Sequence, residues 1–424
     1  MKVIDVTEFY SKRGGGVRSH LTDKGHISCQ LGHDHWVVAP GEKTTLQVLE
    51  EDQSATGRSR VHYVSGPALP YDPTYHLLWR VDAVHRLVRQ ERPDVLEIHS
   101  PYVAAASSLS VPRKYFGIRT FVWHADFIDT YLRGPLTRRL SPSTVDVVVE
   151  PLWAWIRTIA NGCDATFAAS RWQAEKLIAH GVGGVSYLPF GVDKTRFQPS
   201  ARSAAVKAEI LGARAATGGP LLVAIGRFAI EKRWDVVLDA FAALREERRR
   251  KGSPPATLAI FGDGPERAAM QAQVAGQDDV LFFGFVKDRN RLASVLASAD
   301  LLLHGCPYET FGLGIAEAVS CGLPIVVPDE GGAAEQALPG ASEIYPTGDA
   351  TACMHATERL LARDRTEVLA YARRAAELVP SVDEHFKRLY SVYEDLSKKR
   401  RQSPPRKDRR ERSRIDPRRF ARIP

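Results

Sequence analysis

The sequence predicts an α/β protein of two doubly wound, Rossmann-like domains facing across a cleft, with a basic tail after them. Three observations carry this. Short, continuous apolar runs alternate with helical patterns along most of the chain, as expected of parallel strands covered on both faces. The alternation occurs twice, broken near residues 191–219, where Gly191-Val-Asp-Lys-Thr-Arg-Phe-Gln-Pro199 gives way to small and polar residues. At 424 residues the chain is also too long for one ordinary core. The domains are predicted at 1–195 and 196–375, with a disordered tail at 397–424.

In the first half, apolar runs predict strands at 2–6, 35–39, 60–64, 94–98, 119–123, 165–168 and 185–188. Leu77, Leu78, Val81, Val84, Leu87 and Val88 recur at helical spacing and predict a helix over 74–90. In the second half, strands are predicted at 220–225, 256–261, 279–283, 300–304 and 323–327. The helix after the first of these should bury Trp234, Val237, Leu238, Phe241 and Leu244 on one face. Leu313 to Val319 reads as the opening of another helix. Ligands of such sheets bind at the carboxyl ends of the strands, so the cleft is the expected site.

Charge is unevenly placed. From Lys398 to Pro424 there are thirteen Lys/Arg against three Asp/Glu, a surplus that exceeds the chain's net +8 and leaves the body close to neutral. The tail has almost no apolar content and cannot offset its ordering entropy. Five scattered cysteines (Cys29, Cys163, Cys306, Cys321, Cys353) form no C-x-x-C pair, which fits a reducing cytoplasm and gives no reason to expect zinc. The N-terminus is strand-like and lacks a signal peptide's apolar core. No apolar run approaches the roughly 18 residues of a membrane span.

Chemistry concentrates at predicted strand ends. Glu309 and Glu317 flank a glycine-bearing turn that opens a helix, so free N–H groups and the positive helix end lie beside a carboxylate. Such a site can hold an anion while a carboxylate accepts hydrogen bonds from hydroxyls, as a sugar on a phosphate requires. Arg227 and Lys232 leave the strand at 220–225; they could neutralise a diphosphate, or be two solvated charges. Gly262-Asp-Gly-Pro-Glu266 reads as a structural turn. Gly14-Gly15-Gly16 is a flexible turn or a close approach to a ligand, and it is no dinucleotide fingerprint. His124 stands at a strand end, followed by Asp126, and His99 ends the preceding strand. A glycosidase pair is the rival reading of Glu309 and Glu317. Its carboxylates sit roughly 5–9.5 Å apart, whereas eight residues of continuous helix span about 12 Å.

These elements together resemble the retaining glycosyltransferases of family 4, which have the two-domain GT-B fold. Glu309 to Glu317 matches the family's E-x7-E signature, Gly226 to Lys232 its G-R-x(4)-K element, and Gly15-Gly16-Val17 its Gly-Gly-Val loop. The resemblance implies that Arg227 and Lys232 bind the donor diphosphate and that Glu309 holds donor-sugar hydroxyls. Glu317 would hold the nucleotide ribose. It places the nucleobase near Val286, met by main-chain groups. The amides around Phe311, Gly312, Leu313 and Gly314 would reach sugar and phosphate, and Gly15 and Gly16 would approach the phosphate from across the cleft. His124 would stand near the sugar and the acceptor. Ser170, Arg171 and Pro189 to Asp193 would shape the cleft. Residues 376–396 would form a terminal helix crossing back to the first domain.

The implied activity is transfer of a hexose, of mannose or glucose type, from a nucleotide-diphosphate sugar to a lipid or polysaccharide-precursor acceptor, with retention at the anomeric carbon. Arg227, Lys232 and the helix-end amides are suited to the charge that grows on the leaving diphosphate. No Asp-x-Asp cluster stands at a strand end, so no metal and no cofactor are expected beyond the donor substrate. Tyr131-Leu-Arg133, Arg138-Arg139-Leu140 and Leu152-Trp153-Ala-Trp155-Ile156 offer apolar and basic groups that could rest on an anionic membrane or be an ordinary buried helix. The tail could touch the same membrane; nothing aromatic interleaves it, so no specific nucleic acid is expected. The protein is placed in the cytoplasm, free or peripheral on the membrane's inner face. A GT-B sugar-nucleotide epimerase or hydrolase, and a non-catalytic nucleotide-sugar-binding protein, are the alternatives.

Overall fold

Parallel pairing needs crossovers, and the helical segments between the apolar runs supply them. The computed structural model describes residues 1–10, 15–50, 57–69, 72–137 and 139–402. The first sheet takes β1 (Lys2–Val6), β2 (Asp34–Gly41), β3 (Thr45–Glu50), β4 (Arg58–Ser65), β7 (Val95–Ile98), β8 (Ile118–Trp123), β9 (Ala165–Ala168) and β10 (Val185–Tyr187). A separate antiparallel ribbon pairs β5 (Ala68–Leu69) with β6 (Asp72–His76). The second sheet takes β11 (Leu221–Ile225), β12 (Thr257–Phe261), β13 (Val280–Gly284), β14 (Leu301–Leu303), β15 (Ile325–Pro328) and β16 (Ser342–Tyr345).

The strand orders are β10-β9-β8-β7-β1-β2-β4-β3 and β13-β12-β11-β14-β15-β16. Every described pairing in these two sheets is parallel except that of β3 with β4. Among the parallel strands each order reverses once, between β1 and β7 and between β11 and β14, and a crevice opens at the strand ends there. The strand period of two sorts the second core into layers. Leu221 and Val223 of β11 pack with Leu296 and Ile315, while Leu222 and Ala224 pack with Trp234, Phe241 and Leu244.

The Val382–Gln402 helix crosses back and seats Val382, Phe386, Leu389, Tyr390 and Tyr393 against Val3, Ile27, Val95 and Phe167 of the first domain. It continues six residues past the predicted end at 396, because Lys398 to Gln402 extend the same turns. The disorder expected of the tail falls, from residue 403 onward, outside the described residues.

The helix expected over 74–90 begins only at Val81. Residues 72–76 instead form β6, and the Leu77 amide bonds to the Pro67 carbonyl at 2.9 Å, so a hairpin partner took backbone groups that a helix would have needed. The edge strand β3 is short and mixed, with Leu46 and Val48 exposed and Leu49 partly packed on the core, which gave no continuous apolar run to read.

The Gly262 turn has a structural role. With φ at 149°, a Cβ there would stand 1.8 Å from the Gly226 carbonyl oxygen, backbone against backbone. Gly262→Ala is expected to lower stability by about 3 kcal/mol, read as a fall in the urea midpoint. An unchanged midpoint would show that these two loops can part freely.

Candidate active site

The reversal between β11 and β14 brings the two donor-side motifs together. Arg227 leaves β11, and its carbonyl accepts a 3.0 Å hydrogen bond from Trp234 Nε1, which fixes the turn. One turn later Lys232 Nζ meets Glu309 Oε1 at 2.5 Å, and Glu309 follows β14. His304 Nε2 lies 3.3 Å from the same oxygen. Burial alone would raise the Glu309 carboxyl; the Lys232 ammonium and His304 reverse this and hold it well below the usual carboxylate range. Glu309 is thus an anion, locked on a cation, at the mouth of the second sheet. Arg227, five residues before Lys232 in the same loop, is exposed.

Gly312, at φ 83°, breaks the chain between the two glutamates and starts the Leu313–Ser320 helix. No side chain caps that end, so the first-turn amides of Leu313 and Gly314 have no partner from within the helix. Phe311 is buried and packs edge-on against Phe190 at 5.5 Å. Gln336 Nε2 donates to the Gly312 carbonyl at 3.2 Å, which holds the turn. Thr310 Oγ1 donates to the His124 carbonyl at 2.8 Å and ties this loop to the first domain. A second tie joins the domains where the Glu335 carboxylate accepts from the amides of Arg171 and Trp172 at the start of the Arg171–Ala179 helix, which Ser170 caps.

Glu317 is buried and pairs with Arg289, whose guanidinium also lies 4.7 Å over the Phe197 ring. Burial raises the Glu317 carboxyl above its ordinary value, against the pull of Arg289. Asp23, from the first domain, joins the cluster. Burial lifts its carboxyl to about 6, Arg289 opposing and Asp193 and Glu317 reinforcing. Arg289 and Asp23 escaped the sequence reading; one stands in a helix start and the other in a helix middle, with no motif around either. Each glutamate therefore has its own cation, unlike an acid and nucleophile working across one bond. Val286 is half-buried against the second core, two residues before Asp288 caps the next helix.

Across the cleft, Gly15 (φ 126°) is the N-cap of the Gly16–Gln30 helix, and open space surrounds the Gly16 Cα. Gly14 lies outside the described residues. His124, half-buried at the end of β8, places Nε2 2.7 Å from Nδ1 of His99. The other nitrogen of His99 lies 3.4 Å from Asp5 and 3.3 Å from Glu97. Both carboxylates also bind Lys24 Nζ, at 2.8 and 2.7 Å, and all three side chains are wholly buried. Burial alone would lower His99, but Asp5 and Glu97 raise it; burial lowers His124, and the His99 charge lowers it further. His99 thus becomes the inner partner of His124. Asp126 is bound to Lys176 and has a structural task.

The apolar and basic stretch divides. Trp153 and Ile156 are core residues, whereas Tyr131, Leu132, Leu140, Val147 and Val148 are exposed. Of the two readings of 152–156, the buried helix holds for Trp153 and Ile156, while Leu152 and Trp155 are half-buried and Ala154 is exposed. No described helix is long and apolar enough to cross a membrane.

A carboxylate–lysine pair and a bare helix end thus lie at the strand ends of one doubly wound domain, and a histidine at a strand end of the other, an arrangement open to a nucleotide-sugar donor. Family profiles agree: residues 219–363 match Glycosyl transferases group 1, and residues 14–196 match Glycosyltransferase Family 4. The chain is 30% identical over 380 residues to the GDP-mannose-dependent alpha-(1-6)-phosphatidylinositol dimannoside mannosyltransferase of Mycobacterium tuberculosis, covering 89% of this chain and 92% of that one. It is 28% identical over 338 residues to the GDP-mannose-dependent alpha-mannosyltransferase of Corynebacterium glutamicum, covering 78% and 73%. Sucrose-phosphate synthase from Thermosynechococcus elongatus has the same fold, with a TM-score of 0.74 over 93% of this chain and 98% of that one at 16% identity. The chain belongs to the family 4, or group 1, glycosyltransferases, and it is a hexosyltransferase using a nucleotide sugar.

Proposed function

We propose that this enzyme transfers mannose from GDP-mannose to a glycolipid acceptor, with retention at the anomeric carbon and without a metal ion. The observation that carries the donor assignment is the 30% identity, over nearly the whole length, to a mannosyltransferase named for GDP-mannose and a phosphatidylinositol dimannoside. The geometry supports the chemistry. Donor diphosphate entering between Arg227 and the Leu313 helix end draws Lys232 toward itself, and the released Glu309 carboxylate accepts hydrogen bonds from mannose hydroxyls. Cation and helix amides then stabilise the charge that develops on the leaving phosphate. Glu317 and Arg289 frame the ribose. The His124 imidazole, kept neutral, faces the sugar, and the leaving phosphate helps to take the acceptor's proton on the same face. Two charged groups and a helix end already offset the diphosphate, so a metal is not needed for neutrality. Exposed Tyr131, Leu132, Val147 and Val148, with Arg133 nearby, suit a lipid acceptor delivered at an anionic surface. The basic tail would add to that attraction.

Thermal unfolding with GDP, UDP, ADP and GDP-mannose, with and without EDTA, tests the reading. GDP and GDP-mannose are expected to raise Tm selectively by mass action, undiminished by EDTA. Stabilisation by UDP alone would sink the donor assignment, and loss of the shift in EDTA would sink metal independence. The anomeric configuration of the product, read by NMR, decides retention.

A further inference from the structure

His20 has no part in the transfer just described, yet it turns into the same space as His99 and His124. The three come from separate elements: the Gly16–Gln30 helix and the ends of β7 and β8. One ligating nitrogen of each lies within 4.8 Å of the other two. We propose that His20, His99 and His124 form a binding site for a single borderline divalent transition metal ion, zinc in the first instance, and that its occupancy stops turnover by engaging the His124 imidazole.

Four observations carry this. His20 is 7% exposed, and its Nε2 is buried without a hydrogen-bond partner, a cost that a ligand would remove. Imidazole nitrogens around tetrahedral zinc, with Zn–N of about 2.0–2.1 Å, stand roughly 3.3 Å apart. The 2.7 Å between His99 and His124 and the 4.8 Å limit for the set bracket that distance, so small ring rotations suffice. Asp5 and Glu97 lie behind the far nitrogen of His99, as carboxylates do behind metal-bound histidines, where they orient the ring and raise its basicity. Two buried carboxylates beside one buried lysine mean that a proton displaced from His99 leaves behind a negative charge for the metal to balance.

The metal takes the place of the proton in the His99–His124 hydrogen bond, which is released to solvent. The half-buried side of His124 leaves a fourth position toward the cleft. Three imidazoles, with the Phe190 and Phe386 rings against His20, suit zinc, cobalt or nickel and not magnesium, which keeps its waters and prefers oxygen ligands. A second group, His304, Cys306 and Glu309, is equally close-set but has the Lys232 ammonium on its carboxylate, which repels a cation.

The test uses the full chain freed of metal by chelator dialysis, and only its two turnover readouts rest on the proposed transferase activity. Cobalt should bind one equivalent with the visible bands of a low-symmetry imidazole site, and zinc should displace it. His20→Gln should weaken zinc binding at least about tenfold, keep metal-free donor turnover, and lose inhibition by zinc. X-ray absorption at the zinc edge of the unaltered protein should count three imidazoles, and this keeps the test open if His20→Gln does not fold. No saturable binding, binding unchanged in His20→Gln, or sulfur among the ligands would overturn the proposal, the last pointing to the Cys306 group. Binding seen without any transferase activity would leave the metal site standing and defeat only the functional reading.

Discussion

Glu309→Gln is expected to lower turnover of the donor sugar by about 10²–10³-fold, the loss typical of removing one preorganised polar contact to a transition state. The charge is needed twice. As a carboxylate, Glu309 orders the Lys232 ammonium in the resting enzyme; once the diphosphate takes Lys232, it is a strong acceptor for sugar hydroxyls. Glutamine keeps the shape and loses both. The loss should appear in kcat more than in KM, since the proposed mechanism rests nucleotide binding on Arg227, Lys232 and the helix end. The Tm of the free enzyme should fall as well, because the pair is only 23% and 15% exposed and the change leaves the Lys232 ammonium without its carboxylate. A variant with near-normal kcat would remove Glu309 from the mechanism.

The largest effect on stability is expected from Lys24→Met. The Lys24 ammonium, fully buried, bonds both Asp5 and Glu97; its removal leaves two buried carboxylates with the His99 charge against them, a change that costs about 3–5 kcal/mol in comparable sites. Denaturant unfolding measures it, and a loss under about 1 kcal/mol would mean that the carboxylates take up protons at little cost. The sign of the pH dependence follows from Glu97. Burial would raise its carboxyl, but Lys24 first and His99 next bring it down from 4.5 to about 2. A depressed carboxyl contributes its full stability above 4.5 and loses it as pH falls toward 2. In Lys24→Met that depression goes, so the acid limb of the stability curve should move to higher pH. The further changes Asp5→Asn and Glu97→Gln should restore part of the loss, since the uncompensated charges would be gone. Because His99 leans on both carboxylates, donor turnover in Lys24→Met should also change its pH profile.

Much of this was legible in the chain. Every strand predicted by its apolar run is present within a few residues, because a parallel strand buried on both faces has no polar side to blur the signal. The edge strands β3 and β16 were missed for the opposite reason. The 74–90 segment failed where helical spacing met a hairpin partner that spacing does not reveal. The places of Arg227, Lys232 and Glu309 after strand ends, and of Glu317 in the helix that follows, were legible because turn chemistry and helix starts are local. Asp5 and Glu97 could have been found, as each is a lone charge inside an otherwise apolar strand, the pattern of a buried ion that must have a partner.

By itself, then, the sequence determined which residues stand at the carboxyl ends of strands and which side chains could work there, because periodicity and turn geometry depend on near neighbours. Only the tertiary structure decided which of them meet. Lys232 and Glu309 touch across 77 residues, Lys24 and Glu97 across 73, and His99 and His124 across 25. Those meetings depend on which strands lie side by side, and strand order in a parallel sheet is set by how the crossovers pack, a property of the whole chain that no short stretch of it encodes.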